Sequence, residues 1–219
     1  MEGKTIVVTG AAGRLGRHVV DLARKRGVTV AAVVLNEQEA RQIPEGVATF
    51  EMNVTHESDV VSGFAGIQDY LGDLDGVIHT VGAWGMTPLL STDLANWQKL
   101  MTLNLTSAFL VFREAARHTR RGGALVAIAA GQGVDRGAPG QAAYSAAKAG
   151  VMRLVEAAGA ELAEKQIRTL AVAPSTILFD PASTDPGVHV AEVARACLAP
   201  FSNTPPASGT TFRVYGSAT

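Results

Sequence analysis

Apolar runs of five to eight residues alternate along this chain with longer stretches of helical periodicity. Residues 5–9 (TIVVT) form a continuous apolar run of the kind expected of a strand buried on both faces. A glycine-rich turn from Gly10 to Gly16 leads into a helical pattern carried by Val19, Val20, Leu22 and Ala23, which Gly27 closes. Residues 28–35 read as a second buried strand, 47–52 as a third and 74–81 as a fourth. Residues 93–117 predict one long helix, apolar on more than one face and therefore covered on both sides. Residues 124–130 predict a strand, followed by a Gly/Pro loop and a second long helix over 142–164. A sixth strand at 167–173 ends at Pro174, a Pro/Asp/Ser-rich loop spans 175–187, and a short helix (188–198) and a last strand (210–215) follow. Strands alternating with helices, without an internal repeat or a break in composition, predict an α/β fold. The expected architecture is a doubly wound parallel sheet flanked by helices, in one domain over residues 1–219.

The first strand, glycine turn and helix change this picture from architecture to chemistry. Gly10, Gly13 and Gly16 are spaced G-x-x-G-x-x-G at a strand-to-helix turn, where backbone N–H groups at a helix N-terminus receive a dinucleotide pyrophosphate. Arg14 and Leu15 lie inside this turn. The end of the second strand, where a carboxylate selects NAD and a basic residue selects NADP, reads Val34-Leu35-Asn36, with Glu37 beyond. Arg14 and Arg41 are within reach of a 2′-phosphate and Glu37 opposes one, so the choice of cofactor stays open. Trp84 stands between glycines after the fourth strand, on the side where open α/β sheets bind ligands. Asn104 interrupts the first long helix between Leu103 and Leu105, which points to a buried hydrogen-bonding role.

The second long helix opens with Tyr144 and Lys148, four residues apart and so on one helical face. An ammonium beside a phenol favours phenolate, and Tyr144 is expected to act as a proton donor with a lowered pKa. The Ala- and Gly-rich surface of this helix predicts close helix packing, and a homo-dimer or homo-tetramer is expected through the two long helices.

Composition excludes more than it proposes. With 47% hydrophobic and 18% charged residues among 219, the chain is expected to fold around a sizeable core. A net charge of −1 predicts no nucleic-acid or membrane partner, and the partner expected is a small-molecule substrate. The basic clusters 24–26 and 117–121 are expected at helix C-termini, where they complement the dipole. A single cysteine, five scattered histidines and a strand beginning directly after Lys4 predict no disulfide, no metal site and a cytoplasmic location.

Taken together, Thr9-Gly10 with Gly13 and Gly16, Gly82, Asn104, Pro139-Gly140 and Tyr144-Ser145-Ala146-Ala147-Lys148 resemble the short-chain dehydrogenase/reductase family over almost the whole chain. The resemblance implies a Rossmann-type sheet of about seven strands that binds NAD(P) at the strand C-termini. It implies that Tyr144 exchanges a proton with substrate, that Lys148 holds the cofactor ribose and lowers the Tyr144 pKa, and that Asn104 orders a relay water. Asn36, Asn53, Gly82 and Pro174 are expected to join the glycine turn as cofactor contacts, and Trp84, Gly131 and Gln132 are expected to face the substrate. The chain departs from the family where a serine usually stands thirteen residues before the tyrosine, because that position is Gly131. It departs again at His79-Thr80-Val81-Gly82, in place of Asn-Asn-Ala-Gly, and at Pro174-Ser175, in place of Pro-Gly. The glycine turn, the glycine-flanked Trp84, the missing serine and the short substrate lid after Pro174 are similar to the quinonoid dihydropteridine reductase branch. The expected function is hydride transfer to a pterin-like heterocycle or a small carbonyl compound, the alternative being a non-catalytic NAD(P)-binding sensor or scaffold.

Overall fold

A computed structural model describes residues 1–216; the last three positions of the expected domain, 217–219, lie outside the described residues. Its strands are β1 (Thr5–Thr9), β2 (Thr29–Val34), β3 (Ala48–Glu51), β4 (Leu74–His79), β5 (Thr119–Ile128), β6 (Arg168–Pro174), β7 (Ile177–Leu178), β8 (Val188–His189) and β9 (Thr210–Val214). Its helices are α1 (Arg14–Lys25), α2 (Glu37–Ala40), α3 (Glu57–Leu71), α4 (Leu94–Met101), α5 (Ser107–His118), α6 (Gly131–Val134), α7 (Ala142–Glu161) and α8 (Val190–Leu198). Seven strands form one parallel sheet in the order β3-β2-β1-β4-β5-β6-β9, and β7 pairs with β8 in a separate two-stranded ribbon. This is the expected Rossmann-type fold.

The apolar runs are continuous because both sheet faces are covered. Val7, Val33, Val77, Leu125 and Ala171 point to one face, closed by α3, α5 and α7 through residues such as Phe64, Ile67, Val111 and Val155. Ile6, Val8, Ile78, Val126 and Leu170 point to the other, closed by α1 and α8 through Val19, Val193 and Leu198. Each buried aliphatic side chain contributes about 1.5–3 kcal/mol. The chain order reverses between β1 and β4, which pair in register from Ile6↔Gly76 to Thr9↔His79. A crevice therefore opens above the C-terminal ends of these two strands.

Several expected elements take a different form. The long helix over 93–117 is two α-helical segments joined by a π turn, Thr102–Thr106, centred on Asn104. Arg120 and Arg121 do not end that helix; they lie in the first half of β5, where Arg120 Nη2 and Lys4 Nζ, with Thr5 N–H, converge on the buried carboxylate of Asp75. The loop after β5 contains the short helix α6, and the loop over 175–187 contains β7. No helix among the described residues is long and apolar enough to cross a membrane.

Candidate active site

Helix α1 starts at Gly13 with no side-chain cap and no acidic residue in its first turn, so its N-terminal N–H groups face the crevice uncapped. A Cβ on Gly16 would run into the Gly10 carbonyl oxygen and lie 2.9 Å from Ala11 Cα, so helix and turn approach closely only through glycine. This backbone cradle of N–H groups fits a dinucleotide pyrophosphate.

Two cavities flank the turn and share Thr80 and Gly82 in their walls. The smaller, about 380 Å³, lies over the ends of β2 and β3 and is lined by Gly10, Gly13, Leu35, Glu39 and Asn53 among others. The larger, about 560 Å³, brings together Leu15, Trp84, Asn104, Gln132, Tyr144, Lys148 and Pro174. Most of the sequence-predicted site residues therefore converge on the crevice. Four line neither cavity. Gly16 acts through helix packing, the Arg14 guanidinium lies 3.7 Å over the Phe179 ring, and Asn36 caps α2 by accepting from Glu39 N–H at 3.1 Å. Gly131 lies in the wall of a separate neighbouring cavity of about 450 Å³.

In the larger cavity burial decides the electrostatics. Lys148 Nζ donates to Ile128 O at 2.7 Å, and desolvation pulls its pKa down to about 8. Burial also raises the Tyr144 pKa, with the ammonium 5.9 Å from the ring centroid. The Tyr144 pKa is thus raised on balance and not lowered as expected, because desolvation of the phenolate outweighs a cation at that distance.

Asn104 is 1% exposed and uses its whole amide. Oδ1 accepts from Ala83 N–H at 3.1 Å, and Nδ2 donates to Ala83 O and Leu100 O, each at 2.9 Å. It thereby clamps the loop after β4 that carries Trp84. Both Asn104 Oδ1 and Lys148 Nζ face Gly82, where a Cβ would lie 2.7 Å from the one and 3.1 Å from the other.

Behind this wall lies a buried chain that the sequence marked only as a departure. Ser107 Oγ donates to Leu103 O at 2.8 Å, so it accepts from His79 Nε2 at 3.1 Å, and His79 Nδ1 accepts from Thr9 Oγ1 at 2.8 Å. The partners assign a neutral imidazole protonated on Nε2. Burial, aided by the charge on Lys148, holds the His79 pKa down to about 3. The unfolded chain takes up this proton near pH 6.5 and the folded one near 3, so stability is complete above pH 6.5 and falls as pH drops towards 3. Chemical denaturation at pH 7.5 and 4.5 is expected to show a loss of about 2–3 kcal/mol that a His79→Asn variant largely lacks.

Glu39 went unnoticed in the sequence. Its Oε2 accepts from Leu35 N–H at 2.8 Å, which places a carboxylate at the end of β2 in the wall of the smaller cavity. The signal was available, since Asn36 and Glu39 have the spacing of a capping box.

A parallel seven-stranded sheet with an uncapped glycine turn at its switch point, and a Tyr–Lys pair over the same crevice, defines a nucleotide-dependent oxidoreductase class. The family profile described as short chain dehydrogenase matches residues 4–184, and the chain belongs to the short-chain dehydrogenase/reductase family of NAD(P)-dependent oxidoreductases. A 3beta-hydroxysteroid dehydrogenase of Mediterraneibacter gnavus is 32% identical over 203 residues, covering 87% of this chain and 73% of the relative. The 3-oxoacyl-(acyl-carrier-protein) reductase FabG of Aquifex aeolicus is 28% identical over 190 residues, covering 82% and 76%. The short-chain type dehydrogenase/reductase y4vI of Sinorhizobium fredii is 31% identical over 180 residues, and this chain spans 33% of its length.

Proposed function

We propose that this chain is a single-domain reductase that uses NADH to reduce a small unsaturated acceptor, with Tyr144 as the proton donor. The observation that carries it is the convergence of Tyr144, Lys148 and Asn104 on one cavity that adjoins the α1 turn. The bound dinucleotide supplies the hydride. Gly10, Gly13 and the α1 N-terminus would hold its pyrophosphate, and Asn53, Gly82 and Pro174, in the walls of the two cavities, would contact the rest of it. A half-buried phenol with a raised pKa stays protonated at neutral pH and is in the form that donates. Lys148 keeps donors beyond Ile128 O for the cofactor ribose.

Two acceptor classes fit. A carbonyl compound agrees with the names of the relatives. A pterin-like heterocycle is favoured by Trp84, which is 62% exposed and offers a flat wall, and by Gly131, which offers no hydroxyl. Turnover followed by nicotinamide absorbance, with a quinonoid dihydropterin and with a panel of ketones and aldehydes, separates the two. Cofactor binding without turnover of any acceptor would instead favour the sensor or scaffold.

The preference for NADH follows from Glu39. The two arginines that the sequence places within reach of a 2′-phosphate have partners elsewhere, Arg41 in Glu37 at 2.9 Å and Arg14 in the Phe179 ring. A carboxylate accepts a ribose diol and repels a phosphate. Titration is expected to give at least about tenfold tighter binding of NADH than of NADPH, roughly 1.4 kcal/mol, and Glu39→Gln should narrow the gap. Equal affinities would remove Glu39 from this role.

The outer face of α5 and α7 carries Phe109, Leu154, Ala158 and Leu162 around a shallow apolar cavity. We assign a homo-dimer or homo-tetramer contact to it, which light scattering would test.

A further inference from the structure

We propose that Ser175 donates a hydrogen bond to the substrate oxygen beside Tyr144, which makes the cavity a carbonyl site; this rests on the reductase function given above. A carbonyl oxygen that gains negative charge is stabilised by donors aimed at it in a dry cavity. Tyr144 is one. Residue 131 contributes no side chain, and the donors that Lys148 keeps beyond Ile128 O are assigned above to the cofactor ribose.

The sheet register places a hydroxyl on the neighbouring strand. β5 and β6 are adjacent, and Ile128 pairs with Val172. Three residues beyond each partner come Gly131, at the start of α6, and Ser175, just past the end of β6. Both line the 450 Å³ cavity, and Ser175 also lines the cavity of Tyr144 and Lys148. The Ser175 backbone is fixed, its N–H donating to Val214 O at 3.2 Å. Its Oγ is buried without a hydrogen-bond partner. A buried hydroxyl without a partner is unfavourable and calls for a reason. Rotation about χ1 on this fixed backbone turns Oγ into the cavity, where a substrate oxygen satisfies it.

In the reaction the carbonyl π bond breaks as the carbon receives a hydride, with its two electrons, lost by the reduced dinucleotide. The oxygen takes a proton from Tyr144, and solvent replaces that proton. Ser175 keeps its own proton throughout and only donates a hydrogen bond.

The test compares wild type with Ser175→Ala, using phenanthrenequinone and ethyl acetoacetate as probes. Turnover with NADH should fall by about 10²-fold, the loss typical of one such donor. NADH affinity should hold, and Tm should not fall, because the deleted hydroxyl had no partner. The infrared C=O stretch of the quinone bound to the protein–NAD⁺ complex should rise in the variant as a hydrogen bond is lost. Adding Gly131→Ser to Ser175→Ala should recover much of the turnover. The new Cβ would lie 3.3 Å from Tyr215 Oη, a tight contact that the partly exposed Tyr215 can relieve by shifting. An unchanged stretch and rate overturn the proposal, as does a loss of NADH affinity that matches the loss of rate. No turnover by wild type overturns the reductase function instead, and the quinone stretch still decides the role of Ser175.

Discussion

Tyr144→Phe should lower turnover by about 10²–10⁴-fold, the range for loss of a positioned general acid, while cofactor affinity and Tm stay near wild type. The split follows from the geometry. Among the described residues the Tyr144 hydroxyl has no hydrogen-bond partner in the protein, so removing it disturbs no contact. The ring, which fills the wall of the cavity, remains. Steady-state kinetics alongside a cofactor titration and a thermal melt would check all three. Turnover that survives the substitution would mean that the proton reaches the acceptor by another route. Lys148→Ala offers a contrast, because it strips Ile128 O of its donor inside the cavity wall. It should therefore damage cofactor binding and stability together with rate.

Gly16→Ala should weaken cofactor binding by about 10²-fold or more, on the scale by which a displacement of about 1 Å degrades a positioned site. The added methyl has no free space. It meets the Gly10 carbonyl and Ala11 Cα, both of them backbone, so the turn itself must move. Overfilling a packed site typically costs about 1–3 kcal/mol of stability as well. Titration and a melt read the two effects separately. Wild-type affinity in Gly16→Ala would show that the close approach of α1 to the turn does not shape the pyrophosphate cradle.

Much of the architecture was legible because strands covered on both faces must be apolar throughout. Residues 5–9, 28–35 and 74–81 announced β1, β2 and β4 in this way. The first half of β5 was not, for the same reason in reverse. Arg120, Arg121, Gly122 and Gly123 carry no apolar signal, and this part of the strand is secured by Arg120 on Asp75, a contact between residues 45 positions apart. The glycine turn and the Tyr–Lys pair were legible as spacings, since each lies within a single element or turn. Glu39 and Ser175 were harder to see, because each acts across elements. The carboxylate matters only once α2 folds back on the end of β2, and the hydroxyl only once β6 lies beside β5. The rise in the Tyr144 pKa was not legible, because residue spacing reports a neighbouring charge and says nothing about burial.

The π turn over Thr102–Thr106 sets the phase of its helix. Ser107 N–H bonds to Thr102 O, five residues back, while the Ser107 hydroxyl takes over Leu103 O. One surplus residue is thereby held inside the helix, which rotates everything beyond it by about 100° relative to an uninterrupted α-helix. The faces of α4 and α5 are consequently indexed independently. The half that borders the substrate loop can change its apolar stripe without turning Val111 and Ala115 out of the core, and the core half can drift without re-aiming Asn104. A one-residue deletion within the turn would merge the two indexings, and variation at the pocket would then have to be matched in the core.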